Sequence, residues 1–349
     1  MRIRAGLIGY GLAGRLLHAP LIACAGIDIA AIVTSRAAEA RADFPGAAVL
    51  GNLDELCARD DVQLAIVVTP DHLHAGHVRA ALEAGKHVVV DKPFAPTSAE
   101  ALALIRLAQA RGRMLTVYQN RRWDADFRTL QKLMAENALG EIVHYQARWD
   151  RYRPAARGDW HDAHMQGELF GLGPHLMDQA LVLFGAPDWL CADVYDQRGL
   201  GTGNDGCEIL MGKGRLRISL AINMLAADEM RSLRVLGTRG AFAKRGLDPQ
   251  EARLRSRERV DAPDFGADAE ADWGVLTDAA SRNMRAVASE RGDWAAFYRG
   301  VRDALTLGTA PPVDPRGAAQ AIAMLEAALL SSESGRRIDV PEFLKQRGF

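Results

Sequence analysis

Short apolar runs alternate with amphipathic segments over the first 120 residues. The runs are continuous and rich in β-branched residues, which is typical of strands buried on both faces of a parallel sheet. The segments between them have helical spacing, and two carry N-cap signals, namely Asn52 and the capping box of Thr97 and Glu100. The pattern predicts strands at 2–9, 27–34, 62–69, 86–91 and 113–119, and helices at 11–26, 52–58, 72–85 and 97–112.

The pattern changes after about residue 120, where strands begin to follow one another without helices. Over 215–222, apolar residues alternate with polar or small ones, as in an antiparallel sheet with one open face. Residues 246–293 are charged and weakly periodic, so they are predicted to be loop. The predicted helices are 124–140, 174–185, 294–308 and 316–332, and the predicted strands are 141–150, 188–196, 207–222 and 230–244, with a polar aromatic loop at 151–166.

A length of 349 residues suits two domains. Residues 1–120 are expected to form an α/β domain, a doubly wound parallel sheet covered by helices. Residues 121–349 are expected to form an α+β domain with an open-faced, mainly antiparallel sheet, whose C-terminal helix can pack back on the first domain.

The amino-acid composition argues against nucleic acid and membranes as binding partners. Charged residues make up 25% of the chain and the formal net charge is −1, so no basic field favours nucleic acid. Neither a membrane span nor a signal peptide is predicted. The cysteines lie in apolar stretches without metal-site spacing, which predicts buried free thiols and a reducing, cytoplasmic location; they are Cys24, Cys57, Cys191 and Cys207.

The pattern Gly9-x-Gly11-x-x-Gly14 directly follows the first predicted strand and opens the first predicted helix. The first glycine permits a tight turn, the second lets a pyrophosphate approach the backbone, and the third lets helix and strand pack closely. The helix N-terminus adds oriented N–H groups. A glycine turn without a ligand is the alternative, but the further βα units favour dinucleotide binding in a Rossmann fold.

The residues at the end of the second predicted strand indicate which dinucleotide the site would bind. An NAD site usually carries a carboxylate there, whereas this chain has Thr34, Ser35 and Arg36, with Glu39 the nearest carboxylate downstream. A hydroxyl beside a guanidinium suits a 2′-phosphate. A solvated arginine in the first turn of a helix is the alternative. The residues favour NADP over NAD.

Two later strand ends carry further candidates. Thr69 and Pro70 follow the third predicted strand, and Asp91 and Lys92 follow the fourth, at the sheet edge where doubly wound folds bind ligands. A lysine beside a cofactor can hold a substrate hydroxyl, although an exposed loop lysine is the simpler alternative. No metal site is predicted, because no third ligand accompanies the neighbouring histidines His72, His74 and His77.

Three motifs occur together in this chain: the glycine turn, Asp91-Lys92-Pro93, and the segment GLGPHLMDQ at 171–179. Because of this combination, the chain resembles the Gfo/Idh/MocA family of sugar and polyol oxidoreductases. The family pattern is a glycine fingerprint, a Glu-Lys-Pro motif and a Gly-rich segment that ends in His-x-x-Asp. Finer matches such as IGYGLAGRLLHAPLI, VYQNRRWDADF and HLMDQALVLFGAP run through the whole chain. They most resemble the branch that contains NADP-dependent scyllo-inositol dehydrogenase.

The resemblance implies hydride exchange with a ring hydroxyl or ketone of a cyclic polyol or sugar, by a homodimer or homotetramer assembled through the open sheet. It implies that His175 is the acid–base residue and that Lys92 binds and polarises the same oxygen. Asp178 would orient His175 or bind a neighbouring hydroxyl. A first-turn carboxylate that complements the helix dipole is an equal alternative for Asp178.

Two residues depart from the family pattern. Asp91 replaces the usual glutamate, and Gly171 stands where an aspartate usually precedes the histidine by four residues. Because His175 then begins a helix without that carboxylate, we expect its ring to be neutral near pH 7 and ready to accept a proton.

The candidate substrate contacts combine hydrogen-bond donors for hydroxyl groups with aromatic rings for the C–H face of a sugar; they are Asn120, Arg121, Tyr152, Arg153 and Trp160. Tyr152 and Trp160 suit a core or a dimer interface equally well. The candidate cofactor contacts are Gly9, Gly11, Leu12, Ala13, Gly14, Ser35, Arg36, Thr69, Pro70, His74, Asp91, Lys92 and Gln119.

The sequence thus predicts a cytoplasmic NADP-dependent dehydrogenase or reductase that acts on CH–OH groups of a small polyol or sugar. Two alternatives stay open at this point. One is a non-catalytic NAD(P)-binding regulator, and the other is a sugar-processing enzyme that uses redox-assisted elimination or hydrolysis. The presence of both Lys92 and His175 favours an enzyme.

Overall fold

The computed structural model describes residues 2–156 and 167–349, which form two compact units interleaved along the chain. The sequence pattern divides the chain once, near residue 120, whereas two later segments of the chain belong to the first unit. Unit 1 comprises Met1–Trp123, Pro249–Phe265 and Asp293–Ala319. Unit 2 comprises Asp124–Asp248, Gly266–Gly292 and Gln320–Phe349.

Unit 1 contains a six-stranded sheet in the order β3-β2-β1-β4-β5-β6, with every pair parallel. The strands are β1 Arg4–Ile8, β2 Asp28–Val33, β3 Ala48–Leu50, β4 Leu64–Val67, β5 His87–Val90 and β6 Leu115–Val117. The residues of β4 and β6 are buried throughout, because helices cover both faces of the sheet. This confirms the predicted doubly wound parallel sheet.

Unit 2 contains a nine-stranded sheet in the order β14-β13-β12-β11-β7-β10-β9-β8-β15, which is antiparallel except between β7 and β10. The strands are β7 Ile142–Asp150, β8 Trp189–Tyr195, β9 Gly206–Lys213, β10 Leu216–Asn223, β11 Arg231–Gly237, β12 Gly240–Arg245, β13 Gly274–Asp278, β14 Met284–Val287 and β15 Ile338–Asp339. The mainly antiparallel sheet of the second domain is thereby confirmed.

Each predicted helix is present, although some ends differ by several residues, and the short helices at 37–43, 167–171, 250–255 and 340–346 have no counterpart in the prediction. The helices are α1 Ala19–Cys24, α2 Ala37–Asp43, α3 Leu53–Cys57, α4 His74–Glu83, α5 Ser98–Ala110, α6 Ala125–Ala135, α7 Gly167–Gly171, α8 Gly173–Phe184, α9 Gln250–Arg255, α10 Ala295–Leu307, α11 Pro315–Ser334 and α12 Val340–Gln346. Both predicted N-caps are confirmed, since Asn52 Oδ1 and Thr97 Oγ1 accept the backbone N–H of the residue three positions later.

Two predictions need correction. Residues 246–293 are not all loop, because α9, β13 and β14 lie within them. These elements are only four to six residues long, and β14 is largely exposed at a sheet edge, so hydrogen bonds to β13 rather than hydrophobic periodicity define it. The four cysteines are free as predicted, but Cys24 and Cys191 are exposed and only Cys207 is buried.

Within the described residues, no helix is both long and apolar enough to cross a membrane.

Candidate active site

The glycine turn after β1 contains two glycines that the protein's own packing requires and one that it does not. A Cβ on Gly9, which has φ +100°, would lie 2.3 Å from the carbonyl oxygen of Val68, and one on Gly14 would lie 2.1 Å from that of Gly9. A Cβ on Gly11 would meet nothing within 4 Å. Packing within the chain therefore explains Gly9 and Gly14, and close approach of a ligand explains Gly11.

The chain leaves the glycine turn through a π-helical turn, Ala13–His18, before α1 begins. The N–H of Ala19 bonds to the carbonyl oxygen of Gly14, five residues earlier. Leu12, at the start of this turn, is 49% exposed. The wide turn places His18 with its side chain in the interior, where it is 1% exposed.

The end of β2 presents exposed polar groups. Ser35 and Arg36 are both exposed, and the backbone N–H of Arg36 donates to Thr34 Oγ1 over 2.9 Å. Among residues 2–156 and 167–349, the Arg36 guanidinium forms no ion pair with a carboxylate. A cation at this position is therefore available to an anionic ligand.

His74 joins the loops that follow β4 and β5. Its Nδ1 lies 2.7 Å from the carbonyl oxygen of Pro93, and its Nε2 lies 2.9 Å from that of Thr69. The ring is 1% exposed, and its two contacts link the loop after β4 to the loop after β5. The assignment of His74 to the cofactor stays a prediction.

Asp91 is held from two sides. Its Oδ1 accepts the backbone N–H of Lys92 over 2.8 Å, and its Oδ2 lies 3.5 Å from Nε2 of His18. Burial opposes ionisation of Asp91, but the positive charge and hydrogen bond of His18, with help from Lys92 and His74, outweigh it and lower the pKa of this carboxyl. The backbone that carries Lys92 is thus fixed by an ionised neighbour.

His18 connects this loop to a distant helix. Its Nδ1 lies 2.6 Å from the hydroxyl of Tyr298 on α10, and its ring packs on Tyr118 with 4.2 Å between centroids. Burial, together with Tyr118 and Asp91, raises the pKa of Tyr298 well above its ordinary value, so the hydroxyl stays protonated. The Tyr298 hydroxyl and the Asp91 carboxylate thus each face one ring nitrogen of His18.

The residues after β6 are buried. Gln119, Asn120 and Arg121 are 3%, 7% and 5% exposed. Arg121 Nη2 lies 2.6 Å from Glu251 Oε2, and its guanidinium lies 4.8 Å from the ring centroid of Trp294. The structure therefore gives Arg121 partners within unit 1, and its predicted contact with substrate stays a prediction.

In unit 2, His175 lies in the first turn of α8 and is 5% exposed. Its ring packs on Trp149 of β7, with 5.7 Å between centroids and 33° between planes. The guanidinium of Arg231 lies 4.9 Å from the Trp149 centroid and is paired with Asp126 over 3.3 Å. Arg231 also donates to Gln179 Oε1 over 2.9 Å, which ties this buried pair to α8.

Glu168 occupies the space beside Gly171. A Cβ on Gly171 would lie 3.0 Å from Glu168 Oε2, and Gly171 lacks the left-handed φ that the fold requires at Gly167. Glu168 is 6% exposed, and Asp178, one turn after His175, is 3% exposed. The buried carboxylates in this region therefore come from residues 168 and 178.

Tyr152 and Arg153 lie on the loop that follows β7, and both are exposed. The backbone N–H of Tyr152 donates to Glu229 Oε1, and Arg153 Nη1 lies 2.5 Å from the same oxygen. Trp160 lies outside the described residues. No group of three or more metal-ligating side chains occurs among the residues that the structure describes.

The chain matches two oxidoreductase-family models. A model described as an NAD-binding Rossmann fold matches residues 3–119, and one described as a C-terminal alpha/beta domain matches residues 131–340.

Whole-length relatives agree with these matches. The scyllo-inositol 2-dehydrogenase (NADP(+)) of Bacillus subtilis is 35% identical over 96% of this chain and 95% of that protein. The uncharacterized oxidoreductase YdgJ of Escherichia coli is 40% identical over 96% of each chain. The solved structure of an oxidoreductase from Bacillus subtilis, yvaA, superposes with a TM-score of 0.94 at 35% identity, covering 97% of this chain and 98% of that one.

Proposed function

The chain belongs to the Gfo/Idh/MocA oxidoreductase family, and from this premise we propose that it transfers hydride between NADP and a ring hydroxyl or ketone of a cyclic polyol or sugar. One observation carries the proposal. The adjacent strands β1, β4 and β5 end at one edge of the parallel sheet, where they present the glycine turn, Thr69-Pro70 and Asp91-Lys92. A dinucleotide fingerprint and a lysine thus share the edge at which such sheets bind ligands.

The residues present fit a dinucleotide. Gly11 is the fingerprint glycine that internal packing leaves unexplained, which supports a pyrophosphate close to its backbone. The exposed Arg36, beside the hydroxyls of Thr34 and Ser35, would hold a 2′-phosphate. When bound, the nicotinamide of such a cofactor gives or accepts the hydride.

The chain's own residues would handle the proton. We assign Lys92 to the substrate oxygen, where its ammonium stabilises negative charge, and His175 to the transfer of the hydroxyl proton. Asp91 fixes the backbone of Lys92, and Trp149 fixes the plane of the His175 ring. Oxidation removes a proton and a hydride from the CH–OH group, and reduction returns both.

The substrate class rests on relatives and on surface residues. Two similar proteins are named scyllo-inositol 2-dehydrogenase (NADP(+)) and inositol 2-dehydrogenase, the second matching only 40% of this chain. Tyr152 and Arg153 are exposed and remain our candidates for substrate contacts, together with Asn120, Arg121 and Trp160. We further propose assembly into a homodimer or homotetramer through the open sheet, and, from the four free cysteines, a cytoplasmic location.

The proposal is tested by mixing the purified protein with NADP or NAD and a panel of inositols and aldoses, and following the absorbance of reduced nicotinamide. We expect turnover of a cyclic polyol with NADP. Tight cofactor binding without turnover of any substrate in either direction would overturn the enzyme and favour a cofactor-binding regulator. Formation of an elimination or hydrolysis product without net reduction of the cofactor would favour redox-assisted chemistry instead.

A further inference from the structure

The segment before His175 carries a buried carboxylate that the sequence patterns do not assign. Glu168 is 6% exposed and lies on α7, which ends at Gly171. Its Oε2 is 3.0 Å, and its Cδ is 3.8 Å, from the position that a Cβ on Gly171 would take. The carboxylate of Glu168 therefore fills the space where a side chain at residue 171 would begin.

Helical geometry places this carboxylate on the side of His175. Leu172, between α7 and α8, keeps a right-handed conformation with φ −113° and ψ −30°, and its N–H bonds to the carbonyl oxygen of Glu168. Residues 168, 171 and 175 thus follow the i, i+3, i+7 spacing of one helix face. Helical side chains lean toward the N-terminus, so the His175 side chain is directed toward position 171 and the carboxylate that occupies it.

The backbone of Glu168 is held firmly. Its N–H donates to the carbonyl oxygen of Asn204 over 2.9 Å, and the next N–H, of Leu169, donates to Asn204 Oδ1 over 2.8 Å. Gly167 reaches this position with φ +63°, and a Cβ there would lie 2.4 Å from the Asn204 oxygen. The start of α7, and with it the backbone of Glu168, is therefore fixed against the loop before β9.

Other charged groups lie around Trp149, the ring on which His175 packs. Beyond Trp149 lie the guanidiniums of Arg231 and Arg151, at 4.9 and 5.3 Å from the Trp149 centroid. Asp126 is paired with Arg231, so its charge is already balanced. Asp178 is the second carboxylate on the face of α8 that carries His175. An ionised carboxylate on the side of His175 away from these arginines would stabilise a protonated imidazole.

We propose that Glu168 is a positioning residue for His175, orienting its ring and stabilising its protonated form during proton transfer. The inference rests on the proposed function, since it assumes that His175 transfers a proton. It also revises the expectation that Gly171 leaves His175 without a carboxylate on that side.

The first test changes Glu168→Gln, which keeps the length of the side chain and removes its charge. We expect kcat to fall about 10-fold or more, as part of the roughly 10²–10⁴-fold contribution of a positioned acid–base group, with an unchanged Kd for NADP. An unchanged kcat together with an unchanged pH profile would overturn the proposal.

The second test moves the carboxylate. Glu168→Ala removes it and opens the space beside Gly171, and adding Gly171→Asp returns a carboxylate from the neighbouring position of the same face. We expect the Glu168→Ala, Gly171→Asp double variant to recover most of the lost kcat. Its matched control, Glu168→Ala with Gly171→Asn, should stay low. Equal recovery with asparagine would show that Glu168 only fills space, and would overturn the proposal.

A third measurement does not depend on turnover. Nuclear magnetic resonance of ¹⁵N-labelled histidine follows the titration of the His175 ring, identified by its loss in His175→Ala. We expect the titration midpoint to move to lower pH in Glu168→Gln, by about one unit, because a nearby negative charge has been removed. An unmoved midpoint would overturn the role of Glu168. If the His175 midpoint moves but the parent protein turns over no substrate, the role of Glu168 stands and the proposed function is wrong.

Discussion

Two buried histidines, one in each unit, have similar surroundings and different partners. His18 is 1% exposed and His175 is 5% exposed, and each packs on an aromatic ring. Both ring nitrogens of His18 face groups brought from elsewhere in the sequence, the Tyr298 hydroxyl and the Asp91 carboxylate. His175 instead has buried carboxylates close to it in sequence, Glu168 on the preceding helix and Asp178 one turn later on its own helix.

The comparison teaches that burial and stacking do not by themselves identify an acid–base histidine. The partners of His18 lie 73 and 280 residues away in sequence, so its hydrogen bonds hold unit 1 together. Glu168 on α7 and Asp178 on α8 both lie within seven residues of His175 in sequence, so they need no distant segment to reach its neighbourhood. We therefore expect variants of the two clusters to separate activity from stability.

The largest effect is expected from His175→Ala. Turnover should fall about 100-fold or more, because a positioned acid–base group contributes roughly 10²–10⁴-fold. Cofactor affinity, measured by fluorescence titration with NADPH, should stay close to that of the parent. His144→Ala, a change of the same residue type on β7, is the control and should keep its activity. Full activity of His175→Ala would reject the assignment.

Lys92→Ala should also lower turnover, by about 100-fold, because a fixed cation no longer stabilises the substrate oxygen. Its melting temperature should match the parent, since Lys92 lies in a loop and its backbone stays bonded to Asp91. Lys132→Ala, which removes an exposed ion pair with Glu290, is the matched surface control. A near-normal rate with a good substrate would contradict the role of Lys92.

A substitution at Arg36, which lies outside both histidine clusters, should alter only the preference for NADP over NAD. Arg36→Ala should weaken NADP binding by about 1.5–3 kcal/mol, or roughly 10- to 150-fold in Kd, with little change for NAD. Isothermal titration with both cofactors measures the ratio. Arg41→Ala, at an exposed arginine on α2, the helix that follows Arg36, should leave the ratio unchanged. An unaltered preference for NADP in Arg36→Ala would show that the arginine does not read the 2′-phosphate.

Tyr298→Phe probes the His18 cluster directly. Removing the hydroxyl leaves Nδ1 of a buried imidazole without its partner, so the free energy of unfolding should fall by about 1–3 kcal/mol. Urea denaturation measures this loss, and kcat measured in parallel should fall far less than in His175→Ala. Loss of activity without loss of stability would reverse the roles that we assign to the two clusters.

The smallest effect concerns pH. The pKa of Asp91 is lowered from 3.8 in the folded protein, so its ionised form adds stability above that pH, and the contribution is lost as pH falls below about 4. Asp91→Asn should therefore be less stable than the parent at pH 7, and the two stabilities should converge in acid. Urea denaturation at pH 7, 4 and 3 tests this. A constant difference across that range would show that Asp91 is not held ionised by His18.

Structural features that depend on residues close together in the sequence were predictable. The buried strands of unit 1 follow from continuous β-branched runs, and the helix starts at Asn52 and Thr97 follow from side chains that cap the next turn. The glycine turn was also visible, although only the structure separates Gly11 from the two glycines that packing requires.

Features that depend on distant residues were not predictable. Nothing near Trp149 indicates that Arg231 and Asp126 form a buried pair beside it. Glu168 had a local signal, since it lies three residues before Gly171 on the same helix face, but exposed glutamates are far more common than buried ones. Cys24 and Cys191 lie in apolar stretches yet face outward, because an apolar neighbourhood in sequence does not fix which side of an element is covered.

The segmented construction of unit 1 has a consequence for biosynthesis. Residues 1–123 leave the ribosome first, but the partners of His18 and Thr116 are Tyr298 and the carbonyl of Val313, which are translated at least about 175 residues later. At roughly 5–20 residues per second, the delay is about 10–35 s. Throughout that interval His18 and Thr116 lack these partners, and α1 lacks α10, which packs against it in the folded chain.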